Sequence, residues 1–258
     1  PDGLCDVHTS RRSRKQLAPV AVSLEDVHRV RTAGGWLHIW APGRISWWIA
    51  ILFLVGSALF SIGGYQATWS DTDAAELNRI FFSGSLFFTT AALLQLLEAI
   101  NSNMTASGQT YWRWFAWMPR NLGYLASFVQ LIGTILFNFN TADAMITGMG
   151  WIEEDVLVWT PNVLGCVCFL VASYLAFVEV CHWWASIRPR DLSWWIAVIN
   201  LAGSLAFMAS AVYAFAGPGA PDPEAMRLAG FFTFAGALCF LAGSYLLLPE
   251  MFENKEPQ

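Results

Sequence analysis

SWWIAILFLVGSALF occupies residues Ser46–Phe60, and SWWIAVINLAGSLAF occupies Ser193–Phe207, 147 positions later. The opening pentapeptide is identical in the two stretches. Downstream, Gly56-Ser57 with Phe60 coincides with Gly203-Ser204 and Phe207. Each stretch is apolar without a charge and lacks proline, so it reads as a helix rather than a loop. A third stretch shares the core, with Gly133-Thr134 and Phe137 in the same register.

A second set of stretches aligns without a gap. SGSLFFTTAALLQLLE (Ser83–Glu98), LGCVCFLVASYLAFVE (Leu164–Glu179) and AGALCFLAGSYLLLPE (Ala235–Glu250) share Gly84/Gly165/Gly236, Phe88/Phe169/Phe240 and Glu98/Glu179/Glu250. The two sets alternate along the chain. The reading is three tandem copies of one two-helix hairpin, with the middle copy drifted at its entry. Because each hairpin enters and leaves on the same side, the copies are parallel.

Composition sets the solvent. Of 258 residues, 56% are hydrophobic and 13% charged, against about 25% charged in soluble domains. Six apolar runs reach the roughly 20 residues that span a bilayer as helix: about 45–67, 79–100, 121–140, 160–184, 193–216 and 228–249. Pro161 is expected at the start of the fourth span, where a helix tolerates proline. The expected fold is an all-α integral membrane protein of six transmembrane helices. Its segments are an N-terminal region 1–44 holding an interfacial helix, hairpin one at 45–104, an interfacial loop with hairpin two at 105–186, and hairpin three with a short tail at 187–258. No basic face suited to nucleic acid exists.

Loop charge sets the orientation. Twelve of the 14 Lys and Arg residues precede the first span or fall in the loops after spans two, four and six. By the positive-inside rule that side is cytoplasmic, with both termini inside and the plasma (inner) membrane as the site. Most tryptophans lie on the same side. They read as an interfacial belt, with a stacking site for a flat ligand as the sharper alternative.

A hairpin with an LxGSxxF first helix and a GxxxFLxGSxxL second helix resembles the YrhK-like domain of small bacterial membrane proteins. Leu201-Ala202-Gly203-Ser204 with Phe207, then Phe240-Leu241-Ala242-Gly243-Ser244, carry the resemblance. It implies fold rather than activity and transfers no catalytic residue.

The residues that can carry chemistry are few. Glu98, Glu179 and Glu250 close the even spans at their C-terminal ends, where the helix dipole disfavours a carboxylate by about 0.3–1 kcal/mol. Two readings stand: a ring of acids that attracts a cation, or solvated anchors paired with Arg113, Arg120, Arg188 or Arg190. His182 follows Glu179 by three residues. Carboxylate–histidine metal sites draw such pairs from several helices, so this one assigns no metal and no cofactor. Gln95, Gln130, Asn138 and Asn200 are the intramembrane amides, either bonding a neighbouring helix or lining a ligand path. Gly56, Ser57, Gly84, Gly133, Gly165, Gly203, Ser204 and Gly236 are expected at close helix crossings. No phosphate loop, GxSxG or HExxH occurs. The functional expectation is a non-enzymatic structural or accessory protein that binds lipid or a small molecule, with the bilayer, a bound lipid or another membrane protein as partner. A channel or transporter for a cation or small solute, using the glutamate layer, is the alternative.

Overall fold

The computed structural model describes residues 4–7, 20–23, 39–102, 112–181, 184, 186–215, 217–218 and 222–252. Six helices are long and apolar enough to cross a membrane: α1 Ile45–Trp69, α2 Ala74–Asn101, α3 Leu122–Asp143, α4 Trp151–Cys181, α5 Leu192–Tyr213 and α6 Pro223–Glu250. At 1.5 Å per residue the shortest, 22 residues, reaches roughly 33 Å, more than the ~30 Å hydrocarbon core. Two four-residue strands, Leu4–Val7 and Val20–Ser23, pair antiparallel in the N-terminal segment. The interfacial helix expected up to Trp40 lies almost wholly outside the described residues, as does His182.

Short polar residues start the helices. Asp73, Asn121, Asp191 and Asp222 each accept a backbone N–H of the first turn, which satisfies a donor that the helix itself cannot. The fourth helix differs from its sequence reading. It begins at Trp151, and Pro161 lies in its interior behind a π-helical turn, Asp155–Trp159. Proline clashes with the carbonyl four residues earlier. Here that carbonyl belongs to Leu157 inside the widened turn, and Thr160 donates its backbone N–H and, at 2.8 Å, its hydroxyl to Asp155 O.

The helices pack in chain order, each against its sequence neighbours, and α6 closes on α1. The six therefore form a ring. Within each hairpin the two helices cross at a pair of glycines. A Cβ on Gly56 would lie 3.1 Å from Gly84 O, one on Gly133 would lie 3.2 Å from Gly165 O, and one on Gly203 would lie 3.1 Å from Gly236 O. Without side chains there, the backbones approach closely enough for dispersion to hold them together in lipid.

The entry turn recurs as well. Arg44, Asn121 and Asp191 each donate their backbone N–H at 3.0 Å to the carbonyl three residues earlier. The tryptophan pair of SWWIA fastens this turn. Trp47 and Trp194 donate Nε1–H at 2.7 Å to Ile39 O and Ser186 O, eight residues back. Trp48 and Trp195 donate to Pro42 O and Pro189 O, six residues back, at 3.0 and 2.9 Å. Trp47 is buried while Trp48 is half exposed, so only the second residue of the pair faces the surroundings as a belt tryptophan would. In the middle hairpin Tyr124 takes the place of Trp47 and is buried.

Hydroxyls and amides join one hairpin to the next. Ser85 and Thr141 lie 3.1 Å apart between α2 and α3, and Ser173 and Ser204 lie 2.7 Å apart between α4 and α5. Between α6 and α1 the backbones themselves meet: a Cβ on Gly64 would sit 2.6 Å from Phe234 N.

Candidate functional site, a blind polar cavity

Each helix sends one phenylalanine to the middle of the ring. Phe60, Phe137 and Phe207, from α1, α3 and α5, form a triangle with centroids 6.3, 6.0 and 6.1 Å apart. Phe88, Phe169 and Phe240, from α2, α4 and α6, form a second triangle of 6.5, 6.4 and 5.9 Å. Three contacts of 5.2 Å join the triangles, one inside each hairpin. All six rings are buried. They fill the axis with an apolar plug.

A cavity of about 110 Å³ opens between this plug and the ends of the helices that carry the glutamates. Its floor is Phe53 with Phe88, Phe169 and Phe240. Polar groups line its walls: the carboxylates Glu98 and Glu179, the amides Gln95, Gln130 and Asn200, and the hydroxyls Ser46, Ser173 and Ser244. Gln130 and Asn200 occupy one register of their hairpins, and Phe53 holds that register in the first. Among the described residues, no hydrogen bond engages the side-chain amides of Gln95, Gln130 or Asn200. Asn200 leans toward α6, where the absence of a side chain at Gly243 makes room for its Oδ1.

The three glutamates are all buried, at 9%, 5% and 4% exposure for Glu98, Glu179 and Glu250. That excludes the solvated-anchor reading for all three. Ser46 donates its hydroxyl to Glu98 and Ser193 donates to Glu250, each within one hairpin. Gly123 stands at the corresponding position opposite Glu179. Glu98 and Glu179 reach the cavity wall. Glu250 does not, and Leu247 and Ser244 represent its helix there. The acids thus form a two-membered layer on the cavity rather than a ring of three. Among the described residues, no three His, Cys, Asp or Glu side chains assemble into a metal site.

Two arginines direct their guanidiniums to helix ends. Arg188 donates to Cys181 O at 3.0 Å, and Arg44 donates to Met251 O at 3.0 Å. Both cap orphan carbonyls at the negative end of a helix. Asn101 does the same work at the end of α2, exchanging two 2.8 Å bonds with the backbone of Arg113. Asn138 lies away from the cavity and donates to Thr89 Oγ1 at 2.9 Å, a bond between neighbouring helices.

Ser46 and Ser193 are functional residues that the sequence reading passed over. Their signal was in view, because each opens the repeated pentapeptide. Cys166, Cys168, Cys181 and Cys239 are free thiols.

No protein-family model matches the chain, and no curated protein or solved structure matches it either.

Proposed function

We propose that the protein is a non-enzymatic, multi-pass membrane protein that binds a small polar solute in the glutamate–amide cavity. The observation that carries this reading is the dead end. A cavity lined by two carboxylates and three amides stops on six packed phenylalanines. Polar groups at this depth are expensive in lipid and serve a ligand, a proton path or a helix contact. Hydrogen bonding to a neighbouring helix accounts for Asn138 but not for Gln95, Gln130 and Asn200. The distribution of Lys and Arg supports a cytoplasmic mouth, with the plug sealing the far side. The shared glycine crossings, entry turns and phenylalanine triangles support three tandem copies of one hairpin, and the YrhK-like resemblance belongs to that hairpin. A carrier that opens its plug in a second state is the alternative. It is favoured by the carboxylates that share the cavity with the amides.

Sidedness tests the reading. A variant lacking its native cysteines, with Ala176→Cys on the cavity wall, is treated with a membrane-impermeant thiosulfonate from either face of oriented vesicles. Labelling is expected from the cytoplasmic face alone. Labelling from both faces establishes the carrier reading, and labelling from neither removes the open cavity.

A further inference from the structure

If a small solute occupies the cavity as proposed above, the lining also specifies its chemistry: we infer that it is a small organic ammonium ion. Two features of the cavity make opposite demands, and one class of molecule meets both. The walls offer oxygen acceptors, namely the carboxylates of Glu98 and Glu179 and the amide oxygens of Gln95, Gln130 and Asn200. Carboxylates only accept hydrogen bonds, and an ammonium group supplies three donors in several directions. Each such bond to a charged acceptor is shorter and stronger than a neutral one. The floor offers only aromatic carbon, from Phe53, Phe88, Phe169 and Phe240. A cation within about 6 Å of a phenyl face is attracted by the ring quadrupole, most strongly where water is excluded.

Other ligand classes fit one demand and fail the second. A bare metal ion gains nothing from four phenyl rings, and no chelating set of His, Cys, Asp and Glu is present among the described residues. An anion meets two carboxylates of its own sign. A neutral amide or sugar pairs with Gln95, Gln130 and Asn200 but draws nothing from the field of Glu98 and Glu179. An alkylammonium places its nitrogen among the oxygens and its carbons on the rings. Size narrows the class further. The 110 Å³ volume is below the roughly 150 Å³ that holds a benzene molecule in an engineered cavity. A chain of about four or five heavy atoms is therefore the upper limit.

The test is a ligand panel on the full-length protein in nanodiscs. Thermal unfolding is followed against methylammonium, potassium, acetamide and acetate at constant ionic strength, because a ligand of the native state raises Tm in a saturable way. Methylammonium is expected to stabilise, and the other three are not. Glu98→Gln and Glu179→Gln are each expected to weaken methylammonium by about tenfold or more, the factor that one hydrogen bond to a charged group supplies. Ala176→Leu, which fills the cavity, is expected to abolish the response. Stabilisation by acetamide, acetate or potassium equal to that by methylammonium overturns the ammonium assignment and leaves the binding cavity standing, provided that Ala176→Leu abolishes it. Absence of any saturable response in the wild-type protein, or a response that survives Ala176→Leu, overturns the cavity reading itself. The wild-type panel decides between these outcomes even if a glutamate variant does not fold.

Discussion

Gly84, Gly165 and Gly236 occupy one register of the three hairpins, yet alanine should affect them unequally. A Cβ on Gly236 would lie 2.6 Å from Phe207 Cδ1 and 2.9 Å from Gly203 O. The carbonyl is backbone and the ring belongs to the plug, so neither can yield without moving α5 or the central packing. Overpacking of this kind costs about 1–3 kcal/mol, offset by at most the ~1 kcal/mol by which alanine outranks glycine in a helix. A net loss of about 2 kcal/mol is expected. A Cβ on Gly84 would meet Phe60 Cδ2 at 2.7 Å but Gly56 O only at 3.2 Å, so the ring alone must shift and about 1 kcal/mol is expected. A Cβ on Gly165 would find Gly133 O at 3.2 Å and Phe137 at 3.4 Å, a fit that a few tenths of an ångström relieves. Gly165→Ala should be neutral within about 0.5 kcal/mol. The assay is reversible unfolding in mixed micelles with increasing SDS, followed by circular dichroism. The order Gly236 over Gly84 over Gly165 supports backbone-limited crossings. Three equal losses, or the greatest loss at Gly165, would refute the reasoning.

Phe207→Ala should destabilise by about 3–5 kcal/mol in the same titration, because it removes a buried ring that touches three others of the plug. A loss below about 1 kcal/mol would mean that the plug is loosely packed. Gln130→Phe restores the residue that the first hairpin carries at Phe53. It should raise stability by about 1 kcal/mol, since it replaces an amide without a hydrogen bond by a ring, and it should abolish the methylammonium response. Greater stability with binding retained would remove Gln130 from the site.

The spans were legible because length and apolarity alone decide them. The glycine crossings were legible because identical letters recurred in three places. The early start of α4 was not. Glu153, Glu154 and Asp155 lower the hydropathy before Thr160, and Pro161 imitates a helix opener. Only the π-turn in the structure reconciles a proline with a helix that is already under way. The six phenylalanines were visible as aligned positions, but helical periodicity assigns a residue to a face and not to a partner, so their meeting on the axis was not. The same limit hid the convergence of Gln95, Gln130 and Asn200. Gly64 and Gly230 escaped for a different reason. Gly64 aligns with Thr141 and Ala211, and Gly230 aligns with Asn78 and Trp159. A search for letters shared between copies passes over a glycine that only the α6–α1 contact requires.

That failure is itself informative, because the copies differ in two distinct ways. At the joints between hairpins the differing residues do equivalent work. Asn78 donates to Ala144 O next to α3, Trp159 donates at 2.8 Å to Ala211 O of α5, and Gly230 admits Thr68 of α1. One register thus serves three joints with an amide, an indole and a bare backbone. Around the cavity the differing residues do not do equivalent work. Phe53 faces it where Gln130 and Asn200 stand in the other copies, and Gln95 faces it where Ala176 and Leu247 stand. Apolar filling is available at both registers, as Phe53 and Leu247 demonstrate, and it avoids the desolvation cost of an amide in a lipid interior. The agreement of the three copies at the plug, the crossings and the entry turns accounts for a closed ring. Packing does not account for the amides, whose departure from that symmetry falls on one cavity, beside the two carboxylates that reach it.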